Sequence, residues 1–188
     1  MAGLTLPLFT ARAADALNAR YDGDNIHVAP PNVHFLDGKP LESLKTGAAV
    51  AYIAQVDLQD EFHATVRQQK ARFVVSYALW EEKFSVTQLG KAVRTVDGLS
   101  AAAAEAWCFD SLAISALGLP ADRYFYLRFE MRTGGPRDLA QENVPGISVK
   151  DLIDLLGHKN QTELHWGPLE TRVRLADLPR LAGRGSRG

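Results

Sequence analysis

The clearest pattern in the chain is a two-residue alternation of apolar and polar positions that recurs in separate short runs. In KARFVVSYALW, residues 70–80, Phe73, Val75, Tyr77 and Leu79 fall on one side of an extended backbone. In KFSVTQL, residues 83–89, Phe84, Val86 and Gln88 do the same. Successive side chains of a strand point to opposite faces, so both runs are expected to be strands with one buried face. Glu81 and Glu82 lie between them as a polar two-residue connection, which predicts an antiparallel hairpin. AAVAYIAQVDL, residues 48–58, puts Val50, Tyr52, Ala54, Val56 and Leu58 on one face and Ala51, Ile53, Gln55 and Asp57 on the other. RYFYLRFEMR, residues 123–132, turns Phe125, Leu127, Phe129 and Met131 inward and Tyr124, Tyr126, Arg128, Glu130 and Arg132 outward.

Turn and cap residues divide the rest. Residues 17–21 and 25–29 read as a hairpin around Asp22-Gly23, and Pro30-Pro31 ends its second strand. Residues 38–47 read as a short helical turn, with Pro40 at a first helical position and Gly47 after its end. Residues 91–96 predict another strand before an Asp97-Gly98 turn. Ser100 suits an N-cap, and the alanines after it predict a helix to about Phe109. Residues 133–146 are loop by composition. Ser148 to Asp151 resembles a capping box opening a short helix with Leu152, Leu155 and Leu156 on one stripe, ended by Gly157. Residues 163–178 read as a last strand or a hairpin turned at Gly167-Pro168. Sequential hairpins without a βαβ rhythm predict a mostly β (α+β) domain, an antiparallel β-sandwich-like fold of about seven or eight strands with two or three short helices.

The ends read differently. LTLPLFTARAADA, residues 4–16, follows an apolar run with Ala11-Arg12-Ala13, the small-x-small pattern of a signal-peptidase site. Residues 1–13 are therefore expected to be the remnant of an export signal, whose basic region a start assigned too late would omit. The competing reading is a frayed first strand. Residues 14–181 are expected to form a single β-rich domain, and the Gly- and Arg-rich residues 182–188 a disordered tail.

Composition narrows the chemistry. The 188 residues carry 21 basic and 22 acidic side chains, a balance that gives no electrostatic footprint for nucleic acid. Cys108 is the single cysteine, so no intrachain disulfide forms, and its apolar neighbours Trp107 and Phe109 predict a buried structural thiol. No run is apolar for the roughly 18 residues that a spanning helix needs. Neither the nucleophile-elbow nor the phosphate-cradle spacings occur, and no cofactor is expected. Glu81 with Glu82, and Asp151 with Asp154, are explained by a turn and a helix start. Among His27, His34, His63, His158 and His165 no pair has tight ligand spacing. A composite site of His34, His63 and Glu61 would need the fold to bring them together, and no metal is expected.

Residues 32–58 and 72–89, followed by AAAAEAWC, resemble an uncharacterised family of exported bacterial proteins classed as a domain of unknown function (DUF-4390-like). The resemblance covers most of residues 17–178 and implies export, periplasmic or secreted, with cytoplasmic residence as the alternative. It implies no catalytic residues. The expected function is an exported, non-enzymatic domain acting through protein contacts in the bacterial envelope, with another envelope protein as partner and no nucleic acid. Its contact surface would be the outward row of Tyr124, Tyr126, Arg128 and Arg132. One alternative is a small-molecule or lipid binder, with a pocket between sheet and helices lined by Trp80, Trp107, Phe109 and Phe125. The other is a hydrolase without a recognisable motif, which a cluster of His34, His63 and Glu61 would favour. Oligomeric state is left open.

Overall fold

A computed structural model describes residues 17–135, 138 and 163–181. The expected export segment 1–13, the helix expected after Ser148 with Asp151 and Asp154, and the tail 182–188 lie outside the described residues. Within them the chain is a mostly β, α+β domain with two antiparallel sheets.

The small sheet contains β1 (Asn18–Tyr21), β2 (Asn25–Ala29) and β7 (Ile114–Ser115) in the order β1-β2-β7. The large sheet contains β3 (Val50–Gln59), β4 (Thr65–Ala78), β5 (Lys83–Leu89), β6 (Arg94–Leu99), β8 (Tyr124–Gly134) and β9 (His165–Arg174), in the order β6-β5-β4-β3-β8-β9. Two helices, α1 (Gly38–Lys45) and α2 (Ala101–Asp110), lie in the connections. Asp37 caps α1, and the Ser100 hydroxyl caps α2 by accepting from Ala103 N.

One face of the large sheet holds the core. Tyr52, Val56 and Leu58 of β3, Phe73 and Val75 of β4, Val86 of β5 and Leu127 and Phe129 of β8 are fully buried there. Ile26 and Val28 of the small sheet and Ala104 and Cys108 of α2 pack against them in one cluster. The centre is Phe35, in the segment before α1. Its ring lies 4.8 Å from Tyr52 and 5.7 Å from Phe109, both edge-on, a geometry that aligns ring edge with ring face. The Tyr52 hydroxyl donates to the Phe35 carbonyl at 3.0 Å, and the buried Glu105 carboxylate accepts from Leu36 N at 2.9 Å. Two polar groups that would be costly to bury alone thus hold the 35–36 backbone across the sheet.

Several boundaries differ from the sequence reading. β4 begins at Thr65, five residues before the expected start, because the polar stretch VRQQK pairs with β3 as far as Gln59. The first hairpin turns at Gly23 and Asp24, one place on, since the Asp22 carboxylate accepts from the backbone N–H groups of Asp24 and Asn25. Asp97-Gly98 ends no strand. It lies inside β6, which runs to Leu99 through a register shift against Phe84 and Val86. The β4–β5 connection comprises four residues, 79–82, because the last paired residues are Ala78 and Lys83. Residues 165–174 form one strand with a bulge at Gly167-Pro168, without a hairpin. β7 is a two-residue strand that carries no periodic signal.

Phe35→Ala removes the ring at the centre of the cluster. It is expected to lower unfolding free energy by about 3–5 kcal/mol, read as a lower denaturant midpoint at unchanged slope. A change under about 1 kcal/mol would remove Phe35 from that role.

Candidate functional site

The opposite face of the large sheet carries the polar positions of four strands side by side. Across β4, β3 and β8 the register aligns Arg72, Ile53 and Arg132, then Lys70, Gln55 and Glu130, then Gln68, Asp57 and Arg128. β9 extends the first row with His165 and the third with Glu170. Between them, Glu130 stands opposite a bulge, because Phe129 pairs with Leu169 and Met131 with Trp166. Two residues, Gly167 and Pro168, therefore face one. Gly167 has φ +94°, and a Cβ there would stand 2.7 Å from the Phe129 carbonyl oxygen. No larger residue fits that close backbone approach.

The bulge opens a cavity of about 240 Å³ beside Glu130, lined on the sheet by Ile53, Gln55, Lys70 and Met131 and closed on one side by Pro168. Asp57, buried beneath this face, has both carboxylate oxygens bonded: Gln55 Nε2 donates to Oδ2 and Gln68 Nε2 to Oδ1, each at 2.8 Å. The charge is thereby solvated from inside the sheet, and the Gln55 amide is fixed in orientation.

Charged neighbours divide into paired and unpaired. Arg132 donates to both oxygens of Asp138, at 2.6 and 3.2 Å, and stands 3.6 Å from Glu163. These hydrogen bonds hold the Asp138 carboxyl below its ordinary range and raise the Arg132 guanidinium above its own. His165 lies 3.2 Å from Glu163. Arg128 meets one oxygen of Glu130, Oε2, at 3.5 Å. Lys70 is exposed and carries no ion pair among the described residues.

Tyr124, Tyr126, Arg128 and Arg132, the row expected to form a contact surface, do lie together on this outer face of β8. Tyr126 stacks on His63 at 4.4 Å between ring centroids. Arg172 lies 3.8 Å above the Tyr124 ring and Arg174 5.3 Å from it. The row is thus pre-ordered by stacking and cation–π contacts.

The four residues expected to line a pocket between sheet and helices are not brought together. Phe109 packs edge-on against Phe35 and Phe129, and Trp107 against Phe73, so both are partly buried against the core. Phe125 is buried, and with Tyr124 it borders a separate cavity of about 180 Å³ at the other end of the sheet. Trp80 is 99% exposed at the β4–β5 connection, because the strand pairing ends at Ala78 and leaves no neighbour to cover it. Nor do His34, His63 and Glu61 converge: His34 lies 3.1 Å from Glu105, His63 on Tyr126 and Glu61 3.2 Å from Arg123. Among the described residues no group of three histidine, cysteine or acidic side chains could hold a metal ion. Cys108 is fully buried, and burial, then the charge of Glu105, pushes its thiol pKa up. No described helix is long and apolar enough to cross a membrane. Comparison with family models, curated proteins and solved structures gave no match to the chain.

The cavity went unforeseen because its residues come from four strands far apart in sequence. A signal existed in Gly167-Pro168, which interrupts an alternating run where a strand needs a donor.

Two measurements follow from this geometry. Because the Asp138 pKa is depressed in the folded state, its contribution is present above the unfolded value near 3.9 and is lost as pH falls through the folded value. The Arg132–Asp138 pair is about one-third exposed, so its contribution is discounted to about 1 kcal/mol. Asp138→Asn should therefore lower the melting midpoint by about 2–4 °C at neutral pH. That gap should shrink below about pH 4; a gap independent of pH would contradict the pairing. Separately, Trp80→Phe should remove the most red-shifted, most readily acrylamide-quenched part of the tryptophan emission. An unchanged quenching profile would place Trp80 under cover.

Proposed function

We propose that the chain is an exported, non-enzymatic β-domain that acts through protein contacts in the bacterial envelope, with the outer face of β8 and β9 as its contact surface. The observation that carries this reading is the row Tyr124, Tyr126 and Arg128, flanked by Arg172 and Arg174 and held in place before any partner arrives. Tyrosine and arginine are the residue types that concentrate binding energy at interfaces. Their ordering in the free protein lowers the entropic cost of association. Export is supported by the small-x-small pattern at Ala11-Arg12-Ala13 after an apolar run. The sole cysteine, a buried thiol with a raised pKa, is a poor nucleophile.

A small-molecule role has its own support, at a different place from the sheet–helix seam: the cavity beside Glu130 on the outer face.

Site-specific photo-crosslinking in the native cell tests the contact reading. A crosslinker at Arg128 should give one discrete adduct in the envelope fraction, and one at the exposed Lys39 of α1 none. Tyr124→Ala should reduce the adduct roughly tenfold, the equivalent of about 1.4 kcal/mol. Equal labelling from both positions, or recovery of the protein only in the cytoplasm, would refute the proposal.

A further inference from the structure

The cavity beside Glu130 presents a cation and an anion that do not meet. Lys70 and Glu130 each pair with Gln55, from β4 on one side and β8 on the other. Two interstrand spacings separate their backbones, roughly 9–10 Å. No ion pair joins them, and Arg132, the other cation at the rim, is already engaged by Asp138 and Glu163. Lys70 is thus the donor left for an incoming anion. On the other side, Arg128 occupies only Oε2 of Glu130, so Oε1 remains an acceptor. Gln55 adds a second acceptor. Its amide nitrogen is committed to Asp57, and among the described residues no donor reaches its own Oε1. Ile53 and Pro168 supply apolar surface beside these poles.

We propose that this cavity binds a free α-amino acid with a compact apolar side chain. The carboxylate of the ligand pairs with Lys70, its ammonium donates to Glu130 and Gln55, and its side chain lies against Ile53 and Pro168. The chemistry favours both charges on one small molecule: a lone anion would stand beside the Glu130 carboxylate, and a lone cation beside the Lys70 ammonium. Size agrees, since about 240 Å³ is below the roughly 300–1,000 Å³ of pockets for drug-sized ligands. The site is built on paired strands, and the bulge at Gly167 that shapes it admits no side chain. This inference does not rest on the contact surface proposed for Tyr124 and Arg128.

The test uses the purified full chain, isotope-labelled, titrated with L-valine, N-acetyl-L-valine and L-valinamide and followed by amide chemical shifts. L-Valine is expected to bind saturably and move the resonances of Gln55, Lys70 and Glu130. Each derivative lacks one charge and is expected to bind at least tenfold more weakly. Lys70→Met and Glu130→Gln, both changes at solvent-accessible side chains, should each weaken L-valine binding by a similar factor at unchanged melting midpoint. Absence of shifts at millimolar L-valine overturns the proposal. So does equal binding of either derivative, which would make the site a plain anion or cation site. Because the readout is a purified protein with a small molecule, its failure is distinct from failure of the cellular crosslink.

Discussion

Everything in this molecule depends on β3 being covered on both faces. The strand pairs with β4 along one edge and β8 along the other. On its inner side Tyr52, Ala54, Val56 and Leu58 are fully buried, and on its outer side Ala51, Ile53 and Asp57 are buried too. A strand so placed needs nearly all its polar groups satisfied within the sheet, because water is kept from its inner face and reaches its outer face only in part. The inner demand is met by the Tyr52 hydroxyl on the Phe35 carbonyl, which also locks the segment entering α1. The outer demand is met by the two glutamine amides on Asp57. The same bonds that make the strand stable therefore also orient Gln55, the residue between the two poles of the cavity. Core and candidate site share one support.

That double burial explains what the sequence disclosed. Alternation in β3, β5 and β8 identified their inner faces residue by residue, because a sheet with one core-facing side imposes period two on apolar side chains. The Ser100 cap and the buried Cys108 followed from local chemistry alone. What escaped was decided by partners. VRQQK in β4 has no apolar rhythm and is a strand because β3 supplies its ladder. Gly98 resembles a turn residue yet sits in β6, where a register shift accommodates its positive φ of 73°. Trp80 looks like a pocket aromatic by residue type and is instead fully exposed, since burial at a strand connection depends on what packs over it. That Tyr124, Tyr126, Arg128 and Arg132 share one face was legible because they lie in one strand; the cavity was not, because it takes residues from β3, β4, β8 and β9.

The outer face also shows why its two proposed roles belong to one surface. Opposite charges adjoin on it: Arg128 meets Glu130, while Arg132 is answered by Asp138 and Glu163. Arg128 stands at the boundary, in the contact row by position and in the cavity by its grip on Glu130. A protein partner that draws Arg128 away leaves Glu130 with both oxygens open to an ammonium. Conversely, a ligand ammonium on Glu130 competes for the charge that restrains Arg128. Coupling between sites is reciprocal, so each occupant would favour the other through this one pair. Exposed pairs of this kind contribute less than about 1 kcal/mol, which bounds the coupling at a few-fold. Such a link is weak enough to leave the two sites separable by measurement. It still gives a physical reason for the arginine to stand where the row and the cavity meet.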